Sequence, residues 1–130
     1  MRKSALARIL LVEDDPDIRE IAEMALGTVG GFEVLACGTG GEALRRLAEF
    51  GPQLAVIDVM MPGMDGPGLL AALRARPDTR DLPVVFMTAK VQPEEMARWR
   101  SLGAADIVAK PFDPMTLAAR LRDIWDKLGG

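Results

Sequence analysis

Ile9-Leu-Leu-Val-Glu-Asp-Asp-Pro16 holds a strand, an acidic turn and a helix start in one short stretch. Four apolar residues in unbroken succession, without alternation, suit a strand covered on both faces, as in a parallel sheet between helix layers. The run stops abruptly at three acids. Asp15-Pro16 then sets a carboxylate before a proline, the pairing favoured at an N-cap and first helical position. Ile18, Ile21, Ala22 and Ala25 follow at helical spacing and predict the apolar face of that helix.

The same pattern recurs four more times. Phe32–Ala36 is a second strand, weakened by Glu33, and Leu54–Ile57, Val84–Met87 and Ile107–Ala109 are the third, fourth and fifth. Thr39-Gly-Gly-Glu42 has the spacing of a capping box ahead of Leu44, Leu47 and Ala48. Gly66-Pro67 opens a short helix through Leu69, Leu70 and Leu73 that ends by Pro77. Pro93 opens another, terminated at Gly103, and Asp113-Pro114 begins the last, with Leu117, Leu121, Ile124 and Leu128 in register. Five such units predict an α/β fold, a (βα)₅ doubly wound three-layer sandwich around a five-stranded parallel sheet. Right-handed crossovers place every strand's C-terminal end on one edge, where open α/β sheets bind ligands.

The 130 residues suffice for one domain, residues 1–130 with a core over about 7–128. Apolar residues make up 49% and charged residues 27%, an ordinary globular composition, and no apolar run approaches the ~20 residues of a membrane helix. Met1-Arg2-Lys3 resembles the charged start of an export signal, but Arg8 breaks the apolar stretch and acids follow at 13–15. The expected location is cytoplasmic. The chain has one cysteine, Cys37, and no histidine, which excludes an internal disulfide, Ser-His triads and histidine zinc sites. A net charge of −3 gives no cationic excess for nucleic-acid phosphates. The start methionine and the finish two glycines beyond the last helix predict a single-domain protein, monomeric or weakly dimeric.

At the strand ends stand Glu13-Asp14-Asp15, Asp58, Thr88 and Lys110. Asp15 is accounted for as a helix cap; Glu13 and Asp14 are not. Two unit charges about 4 Å apart repel by about 4 kcal/mol at an effective dielectric near 20, so converging carboxylates need protons, distance or a cation. Oxygen ligands without histidine or thiolate select Mg²⁺, with Mn²⁺ as its substitute. A cation there also opens Asp58 to a phosphoryl donor, since a carboxylate can act as nucleophile and form an aspartyl phosphate. Lys110 and Thr88 supply an ammonium and a hydroxyl to phosphoryl oxygens.

Val12-Glu-Asp-Asp-Pro16, Ile57-Asp-Val-Met-Met-Pro-Gly-Met-Asp-Gly66, Met87-Thr-Ala89 and Ala109-Lys-Pro-Phe112, in that order, closely resemble the receiver domains of two-component response regulators. The resemblance spans nearly the whole chain. It implies the flavodoxin-like strand order 2-1-3-4-5, of which this family is itself a standard example. It also implies that Asp58 is the phosphoacceptor, charged by a histidine kinase or histidine phosphotransfer protein. Mg²⁺ would lie on Glu13, Asp14, Asp58 and the Met60 backbone carbonyl, with Thr88 as switch hydroxyl and Lys110 as phosphoryl-binding lysine. The resemblance further implies an α4-β5-α5 switching surface, a downstream protein target, and a cis Lys110-Pro111 bond, against about 5% of X-Pro bonds in general. No enzyme activity is expected beyond self-phosphorylation and self-dephosphorylation.

Competing functions fit less well. An aspartate-nucleophile phosphohydrolase wants a second acid two residues on, where Met60 stands. An FMN carrier needs phosphate donors after the first strand, where this chain is acidic. Neither Gly38-Thr-Gly-Gly41 nor Gly63-Met-Asp-Gly-Pro-Gly68 completes a phosphate loop, and both read as turns and caps. Adjacent Met60 and Met61 serve as core or loop filler. The remaining alternative is a pseudo-receiver, a phosphorylation-independent interaction module, but no essential site residue is missing. One position departs from the pattern: the family carries Tyr or Phe three residues before the lysine, and this chain has Ile107. Trp99 and Trp125 fall on the two helices of the switching surface, where an exposed aromatic would anchor a partner; for Trp125, core packing is the competing expectation.

Overall fold

The computed structural model describes residues 4–129; Met1, Arg2 and Lys3, the signal-like start, and Gly130 lie outside the described residues. Five strands, β1 (Arg8–Val12), β2 (Glu33–Cys37), β3 (Leu54–Asp58), β4 (Val84–Thr88) and β5 (Asp106–Ala109), pair all in parallel. Their order is β2-β1-β3-β4-β5, as expected from the resemblance. Five helices follow the strands: α1 (Pro16–Met24), α2 (Gly40–Phe50), α3 (Gly66–Arg74), α4 (Pro93–Ser101) and α5 (Leu117–Lys127).

Strand alternation divides the core in two. Leu10, Val12, Ile57, Phe86 and Ile107 point to the side covered by α2, α3 and α4. Ile9, Leu11, Val56, Val85, Met87 and Val108 point to the side covered by α1 and α5. The central strands β3 and β4 are buried along their whole length, which is why their sequences show no alternation.

The caps act largely as expected. Asp15 accepts from the amides of Asp17 (2.9 Å) and Ile18 (3.2 Å). Thr39 Oγ1 accepts from the Glu42 amide at 3.0 Å, while the Glu42 carboxylate reaches back to Gly38 N–H at 2.9 Å, one residue before the cap. Three features differ from expectation. First, α1 continues into a π-helical turn, Ala25–Val29, closed by Gly30, whose Cβ, if it had one, would lie 2.5 Å from Ala118 Cβ. Glycine lets α5 approach there. Second, Ala22 and Ala25 are buried, but Ile21 is 45% exposed, because the first turns of α1 stand beside the loops beyond the strand ends rather than over the sheet. Third, α5 begins at Leu117, not at Pro114. Asp113 instead organises a preceding turn, accepting from Met115 N–H on its side chain and from the Thr116 and Leu117 amides on its carbonyl.

Both tryptophans are buried, which corrects the partner-anchor expectation. Trp125 is 6% exposed and donates its indole N–H to the Ser4 carbonyl at 2.9 Å. Trp99 is 5% exposed and meets the Phe86 ring edge-on at 5.6 Å. Trp99 is the one buried residue of α4, whereas Trp125 extends the apolar face that Leu117, Leu121 and Ile124 already give α5.

Candidate functional site

The site follows from register and alternation. Val12 pairs with Ile57, so the next residues, Glu13 and Asp58, emerge side by side from β1 and β3. Both continue the alternation of Leu11 and Val56 and so leave the sheet on its α1/α5 side. Lys110 continues Val108 on that side, its amide donating to the Thr88 carbonyl at 2.9 Å. Thr88 has the parity of Phe86 and turns to the opposite side.

Thus residues 97 apart in sequence meet: Lys110 Nζ donates to Glu13 Oε1 at 2.9 Å. The same ammonium lies 3.3 Å from Asp58 Oδ1. Glu13 and Asp58 are buried, and Asp14 is more open to solvent than either. A carboxylate oxygen from each of Glu13, Asp14 and Asp58 lies within 4.8 Å of those of the other two. Burial, ahead of the opposing pull of Lys110, pushes the Glu13 carboxyl up to about 7. Burial alone would lower the pKa of Lys110, but Glu13 and then Asp58 outweigh it and hold the lysine above its usual value. The ammonium is the local counter-charge for the acidic cluster.

The remaining residues frame this centre. Asp58 Oδ1 accepts from the Met60 amide at 3.4 Å, which keeps the Met60 backbone beside the carboxylate while its side chain is 69% exposed. Thr88 Oγ1 accepts from the Lys90 amide at 3.1 Å, an ST-type turn that orients the hydroxyl. The Lys110-Pro111 bond is cis. Two supporting residues escaped the sequence reading. Arg19 donates to the Glu13 carbonyl at 2.9 Å and ties α1 to the acidic loop. At Gly66 a Cβ would sit 2.8 Å from the Asp58 carbonyl oxygen, so glycine lets α3 start directly against the end of β3. The Gly-Pro pair marked a helix start but not that close approach. Beside Lys110, an apolar depression of about 360 Å³ is lined by Ile18, Ile21, Ala89, Pro111, Phe112 and Pro114.

A family model for the response regulator receiver domain matches residues 9–122. The chain belongs to this family. This receiver domain is 39% identical over 117 residues to the probable transcriptional regulator ycf27 of Pyropia yezoensis, an alignment covering 90% of the chain and 46% of the relative. It is 38% identical over 115 residues to the DNA-binding response regulator MtrA of Mycolicibacterium smegmatis, covering 88% of the chain and 49% of the relative. The chain thus spans about half the length of these curated relatives. Among solved structures, the chemotaxis protein CheY4 of Vibrio cholerae superimposes with a TM-score of 0.84 at 30% identity, over 92% of this chain and 99% of that one. Membership makes this a phosphoacceptor module of two-component signalling. No described helix is long and apolar enough to cross a membrane.

Proposed function

We propose that Asp58 accepts a phosphoryl group from the phosphohistidine of a histidine kinase or phosphotransfer protein. The observation that carries this is one carboxylate, Asp58, buried at the strand edge yet flanked by the Lys110 ammonium, the Met60 amide and two further acids. The donor set fits a hard cation: Glu13, Asp14, Asp58 and the Met60 carbonyl would hold Mg²⁺ or Mn²⁺. When bound, that ion supplies positive charge that screens carboxylate from phosphate. An Asp58 oxygen forms its bond to phosphorus as the phosphorus–nitrogen bond of the donor breaks, and the imidazole leaves after taking a proton. The Lys110 ammonium and the Thr88 hydroxyl take up charge on the phosphoryl oxygens.

The donor docks over the apolar depression of Ile18, Ile21 and Phe112, which opens beside Lys110. Neither exposed Met60 nor Lys90 offers a base for hydrolytic water at neutral pH, so the only chemistry proposed is self-phosphorylation and slow self-dephosphorylation. The signal leaves through the α4-β5-α5 surface to a downstream protein. The chain's net charge of −3 argues against a direct nucleic-acid contact by these residues. Acetyl phosphate with Mg²⁺ should raise the intact mass by one phosphoryl group, and Asp58→Asn should abolish the increase. Undiminished labelling of that variant would remove Asp58 from its role.

A further inference from the structure

Beyond the phosphoacceptor pocket, the other face of β4 carries a second arrangement of side chains. Thr88 and Phe86 leave β4 on the same side, toward α4. Phe86 meets Trp99 edge-on, with ring centroids 5.6 Å apart and planes at 85°. The Arg98 guanidinium lies over the Trp99 ring at 4.8 Å. The indole is therefore gripped by its neighbours, yet its N–H has no acceptor, the one buried side-chain polar atom without a partner among the described residues. A buried donor left unmatched disfavours the arrangement that strands it, so a second arrangement offering an acceptor gains relative weight. Trp99 also lines a pocket of about 300 Å³ whose walls include Thr88, Met60, Lys90 and Glu95. Trp99 and Thr88 thus border one space, with the unmatched donor buried behind the pocket wall.

Thr88 Oγ1 accepts from the Lys90 amide at 3.1 Å, three residues before α4 opens at Pro93. A phosphoryl oxygen on Asp58 accepts from the Thr88 O–H, and turning the hydroxyl toward it draws its oxygen from the Lys90 amide and loosens the short chain to α4. Ile107, 3% exposed in the same cluster, has no polar atom with which to register the change. We infer that Trp99 is the positioning residue that couples Thr88 to α4, its indole N–H gaining an acceptor when Asp58 is phosphorylated. This rests on the phosphoacceptor reading of Asp58, and the test separates the two.

The chain is labelled with 5-fluorotryptophan and its two ¹⁹F resonances are assigned with Trp99→Phe and Trp125→Phe. Mg²⁺ and beryllofluoride, a phosphoryl mimic, are then added. Fluoride signals of the bound mimic, absent in Asp58→Asn, report occupancy of the acceptor site independently of either tryptophan. The expected result is a shift of the Trp99 resonance at full occupancy, with Trp125 unmoved. Bound mimic with a stationary Trp99 resonance would overturn the coupling and leave the role of Asp58 intact. Absence of bound mimic would overturn both. Trp99→Phe, which keeps the ring contact with Phe86 but lacks the N–H, should still bind the mimic. Its amide shifts over Glu94–Arg98 should fall to less than half of the parent's, and undiminished shifts there would reduce Trp99 to packing.

Discussion

The acidic edge of the sheet and its α4-β5 flank are built from opposite materials. At the edge, one ammonium sits 2.9 Å from the Glu13 carboxylate and 3.3 Å from that of Asp58, both buried, and their positions follow from strand register and alternation. On the flank, Phe86, Trp99 and Ile107 form an apolar cluster positioned by packing between a strand and a helix. The edge can change little without losing its chemistry, because each group is a partner of another. The flank tolerates different solutions, because packing fixes volume rather than identity. Here β5 contributes Ile107 to that cluster and the ring against Phe86 comes from Trp99 on α4.

The largest test of this contrast removes the counter-charge. Lys110→Met leaves Glu13 and Asp58 buried without their cation and should cost about 3–5 kcal/mol of stability in urea denaturation at neutral pH. Burial raises Glu13 to about 7, so in metal-free protein its contribution to stability is complete below its ordinary value of 4.5 and lost as pH rises through about 7. The penalty of Lys110→Met should accordingly be greatest above pH 7 and shrink in acid. A pH-independent penalty would mean that Lys110 acts through packing.

Ile107→Tyr probes the flank. Ile107 is 3% exposed against Phe86 and Trp99, so an inward ring overfills the cluster and should cost about 1–3 kcal/mol. Parent-like stability would show that the groove of about 480 Å³ along Val91, Met96 and Phe112 accepts the ring, and that the flank has kept the usual aromatic's place. In the parent, beryllofluoride should shift amides over Ala89–Glu95 strongly and those of Ile107 and Val108 weakly.

Met60→Asn bears on the border of the two regions. An amide there can orient water as the thioether cannot, and aspartyl-phosphate decay should quicken roughly tenfold, about 1.4 kcal/mol off the barrier. An unchanged half-life would indicate that Met60, 69% exposed, neither shields nor admits water. The smallest effect belongs to a residue outside both regions. Thr39→Ala removes the cap of α2 and should lower stability by about 1 kcal/mol in thermal denaturation, with Asp58 labelling unaltered.

Much of this molecule was legible from local pattern. Unbroken apolar runs marked β1, β3 and β4 because burial on both faces leaves its mark in nearly every position, whereas the edge strand β2, with Glu33 exposed, showed the pattern weakly; no strand end moved by more than one residue. Asp15 and Thr39 announced their helices because a cap acts within one turn, and Pro93 because its fixed φ suits a first helical position. The acids after β1 and β3 stood out because buried charge has few bland explanations. What the sequence left open was anything set by contact between distant segments. It did not show that Ile21 would face the loop after β5 while Ala22 and Ala25 met the sheet, nor that α1 would widen into a π-helical turn. It could not tell a displayed Trp99 from a buried one, since helical spacing says which residues share a face and not what covers it. Lys110 could be assigned to the acidic edge, but its bond to Glu13 depends on three strand registers and on alternation carried through each strand to its last residue. Periodicity is local and survives in sequence; register between strands separated by whole helices is decided only when the sheet assembles.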